Sequence, residues 1–227
     1  SEQVEAVINE GNEEMVRELL QALNEDAKDR ALARSHCQEG VIDVLTHNIE
    51  PIIALNCRGE LQQALYQFVK RPTFSAFLSE DAVSRILASD LWMDNYDMIR
   101  CLTRSEQQAK FAAQHIEDIT RVLQQAKLLE NVNACYTITS LARVAADEMV
   151  PLIYTLVEDL KECASKTSPE GNVEAVGEAL MALCTNVTKK IEVASKIDEE
   201  LVAIRDSSRD RPRIASIATD IIQALTK

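Results

Sequence analysis

Three groups of residues in this 227-residue chain could do chemistry by their types: a histidine beside a cysteine, paired carboxylates, and arginines spaced along one stretch. His36-Cys37 has the make-up of a metal-ligand or nucleophile–base pair. One short helical stretch supplies both, however, and no third ligand lies near in sequence, so neither a closed metal site nor an oriented triad is built there. The other cysteines, Cys57, Cys101, Cys135, Cys163 and Cys184, are scattered without a CxxC. They read as reduced core residues of a cytosolic protein, with Cys135 a candidate for exposure. His47 and His115 read as satisfied surface or interface histidines, and Glu199-Glu200 as a solvated helix face. Asn186-Val187-Thr188 matches the glycosylation acceptor pattern but falls in a helix-end turn, where chance explains it. There is no phosphate-cradling glycine loop and no nucleophile elbow. The expectation is no enzyme, no metal and no cofactor.

Arg100, Arg104 and Arg143 stand out differently, because the formal net charge is −13. Guanidinium groups there would suit an acidic or phosphorylated segment. The alternative is that they pair with nearby acids such as Asp94, Asp97 or Glu106, contacts worth ~0–1 kcal/mol each at a surface.

The elements that must hold these residues are helices. Hydrophobic residues make up 46% of the chain, only 4% are aromatic, and glycine and proline number five each. Strands would need aromatic and β-branched runs between turns. The acidic balance argues against nucleic acid as the main partner. No apolar run is long enough to span a bilayer. The chain begins at Ser1 without a methionine and inside a helical pattern, which leaves room for an acylated leader ahead of it.

A repeat organises the helices. Leu23, Leu65, Leu102, Leu141, Leu183 and Leu225 each sit in a similar setting, from LLQALN to IIQALTK, at intervals of 42, 37, 39, 42 and 42. A second marker follows each of the first five, at Leu45, Leu87, Leu123, Leu156 and Ile204, with offsets of 22, 22, 21, 15 and 21. Between the two markers lie short amphipathic pieces: DRALARSHCQEG, RPTFSAFLSED, EQQAKFAAQH and KKIEVASK. Each unit thus reads as a short, a middle and a longer third helix. The fourth unit has only ADEM where its short helix belongs, and a loop over 162–172 with Ser165, Thr167 and Ser168-Pro169 restores the interval. That loop reads first as structural compensation and second as a contact or phosphorylation site.

This pattern resembles the armadillo repeat. SEQQAKFAAQHIEDITRVLQQA (105–126) and TKKIEVASKIDEELVAI (188–204) look like its first and second helices, and the marker leucines fall in its third. The resemblance implies an all-α, right-handed armadillo-like α-solenoid of about five to six three-helix repeats, running as one domain over 1–227. HEAT repeats are the nearest alternative.

The resemblance also implies a concave groove lined by third helices, in which a protein partner lies extended. The positions two before and two after each marker leucine share a side. They give Gln63, Gln67, Arg100, Arg104, Thr139, Arg143 and Met181 as partner-binding residues, with Tyr96 one turn above Arg100. The expected function is a non-enzymatic cytoplasmic adaptor. A chain of little besides such repeats is similar to the armadillo-repeats-only adaptors of apicomplexan parasites, which implies attachment to the cytosolic face of rhoptry organelles and recruitment of a myosin. The alternative is a regulatory armadillo-like domain of a larger cytoskeletal protein, of the formin or myosin-chaperone type.

Overall fold

The computed structural model describes residues 1–74, 77–165 and 169–226, all of them helices, turns and short connections. The chain divides into two compact units, Ser1–Leu102 and Thr103–Lys227.

The first unit holds α1 (Glu2–Glu10), α2 (Glu13–Asp26), α3 (Arg30–Gln38), α4 (Val41–His47), α5 (Ile49–Ala54), α6 (Arg58–Val69), α7 (Glu80–Ala88) and α8 (Tyr96–Leu102). Local chemistry sets these boundaries. Asn12, Asp29 and Ser79 accept hydrogen bonds from the first-turn N–H groups of α2, α3 and α7. Gly40 has φ 75° at the corner between α3 and α4, a left-handed conformation that side-chain-bearing residues rarely adopt. The middle helix of this repeat is split at Asn48, because Pro51 has no N–H for the His47 carbonyl. Third helices pack on one another, α2 on α6 and α6 on α8, while α4 packs on α7.

The second unit holds α9 (Glu106–Ala112), α10 (Ile116–Gln125), α11 (Val132–Ala145), α12 (Val150–Ser165), α13 (Glu170–Asn186), α14 (Lys190–Ser207) and α15 (Pro212–Thr226). Here α11, α13 and α15 pack in succession, as do α10, α12 and α14. This is repeat layering: each element rests on its counterpart one period away. Ties between layers confirm the period. Arg17 meets Glu60 and Arg71 meets the Lys28 carbonyl, both 43 residues apart; Asn172 meets the Leu129 carbonyl 43 away, and Thr188 meets Asp147 41 away.

All six first-marker leucines and all five second markers are buried. Each removes roughly 1.5–3 kcal/mol of apolar side chain from water, so the markers are the core. All six cysteines are buried thiols outside any disulfide.

Several expectations change. The stretch 188–204 is not two helices; from Lys190 to Ser207 it is one, since no glycine or proline interrupts it and Lys196 pairs with Glu192 one turn away at 3.1 Å. Residues 71–74 form a turn closed by Phe74 N–H on the Arg71 carbonyl rather than the start of a helix, and residues 75–76 lie outside the described residues. The third helix α8 is short, because the segment before it is a turn that drives Leu91 and Trp92 into the core, with the indole N–H on the Leu87 carbonyl at 3.0 Å. Residues 146–149 form only a turn, as the missing short helix requires. The compensating loop is narrower than 162–172: α12 runs through Ser165 and α13 begins at Glu170. Thr167 and Ser168 lie outside the described residues.

Candidate protein-binding surface

The eight residues expected to bind a partner fall in both units. Gln63, Gln67, Tyr96 and Arg100 belong to the first; Arg104, Thr139, Arg143 and Met181 belong to the second.

In the first unit, α6 presents Gln63 to solvent and half-buries Gln67, whose side-chain oxygen is buried without a hydrogen-bond partner. On α8, Tyr96 is half-buried and Arg100 exposed. Asp97 lies 4.0 Å from the Arg100 guanidinium and accepts a hydrogen bond from the Tyr66 hydroxyl. That bond, followed by burial, pushes the Tyr66 phenol up to about 12. Burial and the Asp94 charge also raise Tyr96. Arg100 therefore faces a carboxylate, as the ion-pair alternative expects.

In the second unit, Arg104 does not continue the helix face of Arg100. Helix α8 stops at Leu102, and Arg104 lies in the turn ahead of Ser105. Ser105 and Gln108 form a capping box that starts α9 and thereby fixes the break. Arg143 is exposed in the last turn of α11. Glu106 is held below the usual carboxylate range, chiefly by its hydrogen bond to Lys110, with Arg143 a smaller contributor. Cys135 is not exposed. Its Sγ points at the Leu128 carbonyl at 3.4 Å, and burial pushes the thiol up to about 12. His36 bonds Asp26 at 3.0 Å and sets its ring edge-on to Phe68, while burial raises the Cys37 thiol to about 11, so the pair is packing rather than a reactive site. Among the described residues no group of three or more His, Cys, Asp and Glu could hold a metal ion. No helix there is long and apolar enough to cross a membrane.

Thr139 and Met181 do come together. They line a cleft of about 320 Å³ across the third helices α11, α13 and α15. Its floor is apolar, from Gly177, Met181 and Ile217, and its rim carries Glu174, Glu178, Arg213 and Asp220. Arg213 pairs with Glu174 at 3.1 Å. Glu178 and Asp220 have no cationic partner among the described residues, and Asp220 has only the Ser216 hydroxyl at 3.5 Å. A second cleft of about 340 Å³ shares Met181 and Asp220 and extends to Thr185, Lys190 and Gln223.

The acidic rim lies away from the positions two either side of the marker leucines, so those positions do not reveal it. The signal was present in the spacing Glu170, Glu174, Glu178, one residue per turn along α13.

No family model matches the sequence, and no curated protein sequence matches it. Solved structures do. An engineered protein from the Northeast Structural Genomics Consortium superposes with a TM-score of 0.67 at 14% identity, covering 99% of this chain and 96% of that one. The designed armadillo repeat protein YIII(Dq)4CqI gives 0.63 at 15%, covering 98% of each chain. A related design, YIII(Dq.V1)4CPAF in complex with the peptide (KR)4, gives 0.65 at 14%, again covering 98% of each. With the layered third and second helices of each unit, these likenesses identify the chain's fold as an armadillo-like repeat fold.

Proposed function

We propose that the chain is a non-catalytic protein-binding scaffold, and that its second unit holds an extended, basic segment of a partner along α11, α13 and α15. The observation that carries this is the cleft itself: an apolar floor at Met181 and Ile217, with the carboxylates of Glu178 and Asp220 on its rim and no cation on either among the described residues. Lysine or arginine side chains of the partner would supply the missing charge, and their stems would lie on the floor. A structure of similar fold holds the basic peptide (KR)4. An acidic segment at the arginines would instead have to compete with Asp97 for Arg100. The finer reading, an adaptor between a rhoptry and a myosin motor, is supported by architecture alone and is checked by co-purification with a myosin.

Fluorescence anisotropy tests the main reading. Labelled (KR)4 should bind the full chain, weaken as salt rises, and weaken at least tenfold against Glu178→Lys/Asp220→Lys at matched helicity. Preference for an acidic (DE)4 peptide, retained in that double variant, would refute the cleft reading and move the site to the arginines.

A further inference from the structure

The two clefts follow one another along α13 and α15. The first takes α13 from Glu174 to Ala182 and α15 from Arg213 to Asp220; the second continues to Thr185 on α13 and to Ala224 on α15. Met181 and Asp220 are their shared boundary. The second cleft also takes in Lys190, the first residue of α14. Its half-buried ammonium donates to the Ala224 carbonyl at 3.2 Å, one of the last carbonyls of α15, which have no partner within the helix. That contact caps α15 and uses one of the three ammonium N–H bonds, so the cap alone does not exhaust the group. Lys190 has no carboxylate partner among the described residues, although Asp220 lines the same cleft.

The charge balance of the two clefts differs. In the first, Glu174 takes Arg213, and Glu178 and Asp220 leave the rim acidic. In the second, Lys190 and Asp220 offset one another at a distance. A base seated in the first cleft neutralises Asp220 from its own side, and Lys190 then has no counter-charge. An anion in the second cleft restores the balance. Because the clefts succeed one another along the helices, an extended segment crossing α13 and α15 has one cleft on each side of its backbone. Successive side chains of an extended chain point to opposite sides.

Resting on the basic-segment reading of the first cleft, we propose that the partner segment carries an acidic residue directly beside the basic one, the base entering the first cleft and the neighbouring carboxylate meeting Lys190 in the second. Thr185 and Gln223, both exposed, bring a hydroxyl and a side-chain amide to the same carboxylate. A second base at that place would meet Lys190 as a like charge, so this rung of the repeat selects alternating charge.

Fluorescence anisotropy on the full chain with labelled, end-blocked (KE)4 tests this, because a peptide without net charge reports local contacts rather than the acidic field of the protein. The wild type should bind it, and Lys190→Glu should weaken it about fivefold, the scale of one exposed charge pair. Lys196→Glu, on the same helix but outside both clefts, should leave it unchanged. Lys190→Met, which keeps the stem and removes the charge, replaces Lys190→Glu if that variant does not match the wild type in helicity. No binding of (KE)4, equal binding by wild type and the Lys190 variant, or equal weakening by Lys196→Glu overturns the proposal. If (KR)4 is still weakened by Glu178→Lys/Asp220→Lys in that case, the basic-segment reading stands and only the adjoining acid falls; if it is not, both fall.

Discussion

Ile217 of α15 closes onto Gly177 of α13 so tightly that a Cβ at Gly177 would lie 2.8 Å from Ile217 Cδ1 and within 3.2 Å of two more of its atoms. Both residues belong to the floor of the cleft. Gly177→Ala would push the whole Ile217 side chain rather than one mobile tip. Overpacking of this kind costs ~1–3 kcal/mol, against a gain of ~0.5–1 kcal/mol from removing a glycine from a helix. The net expectation is a loss of stability in urea unfolding, eased only in part when Ile217→Val is added, because that change removes Cδ1 and leaves both γ carbons in place.

Among the marker leucines, Leu141 and Leu183 lie in α11 and α13 and are fully buried. Truncating either to alanine should cost ~2–5 kcal/mol. A matched change at exposed Leu32 should stay within about 0.5 kcal/mol. Thermal and urea unfolding followed by circular dichroism would register the contrast.

The six cysteines should be silent in the folded chain. Burial holds Cys135 and Cys184 at about 12 and Cys37 at about 11, so at pH 8 these three hold almost no thiolate, and all six sulfurs are buried out of reach. An aromatic disulfide reagent should titrate essentially none of them until urea is added, when all six should react.

Asp147 caps the next layer by accepting from both the N–H and the hydroxyl of Thr188 at 2.8 Å, which holds its carboxyl below the usual range. A carboxyl depressed in the folded state stabilises above its unfolded value and loses that contribution as pH falls through the folded one. Thr188→Val should therefore be less stable than the wild type at pH 7, with the gap narrowing below about pH 3.8.

The fold was legible because leucine burial and sequence interval report the same thing: a residue that must face its counterpart one layer away. That is why Leu23 through Leu225 located the core without error. Helix ends were less legible. The junction at Gly40 shows itself by the glycine, but nothing marks the absence of a junction between Lys190 and Ser207 except the lack of a breaker. The site was least legible. Exposed positions carry no burial constraint and hence no period, so only their places beside marker leucines put Thr139 and Met181 on the face that lines the cleft. Glu178 and Asp220, which complete the same cleft, lie at other offsets. Arg104 lies off the helix expected to carry it for a local reason, since α8 stops at Leu102 and the capping box at Ser105 starts the next helix.

The unbroken α14 has a mechanical consequence. Eighteen residues at 1.5 Å each make a rod about 27 Å long where α9 and α10 have a joint. A jointed pair can yield at its corner under load, whereas a rod bends only by straining its hydrogen bonds. Packed against both α12 and α15, it makes that end of the second unit its stiff end. Force applied to the α13–α15 side of the cleft would be borne by a strut, and deformation under a pulled partner would concentrate towards α9 and α10.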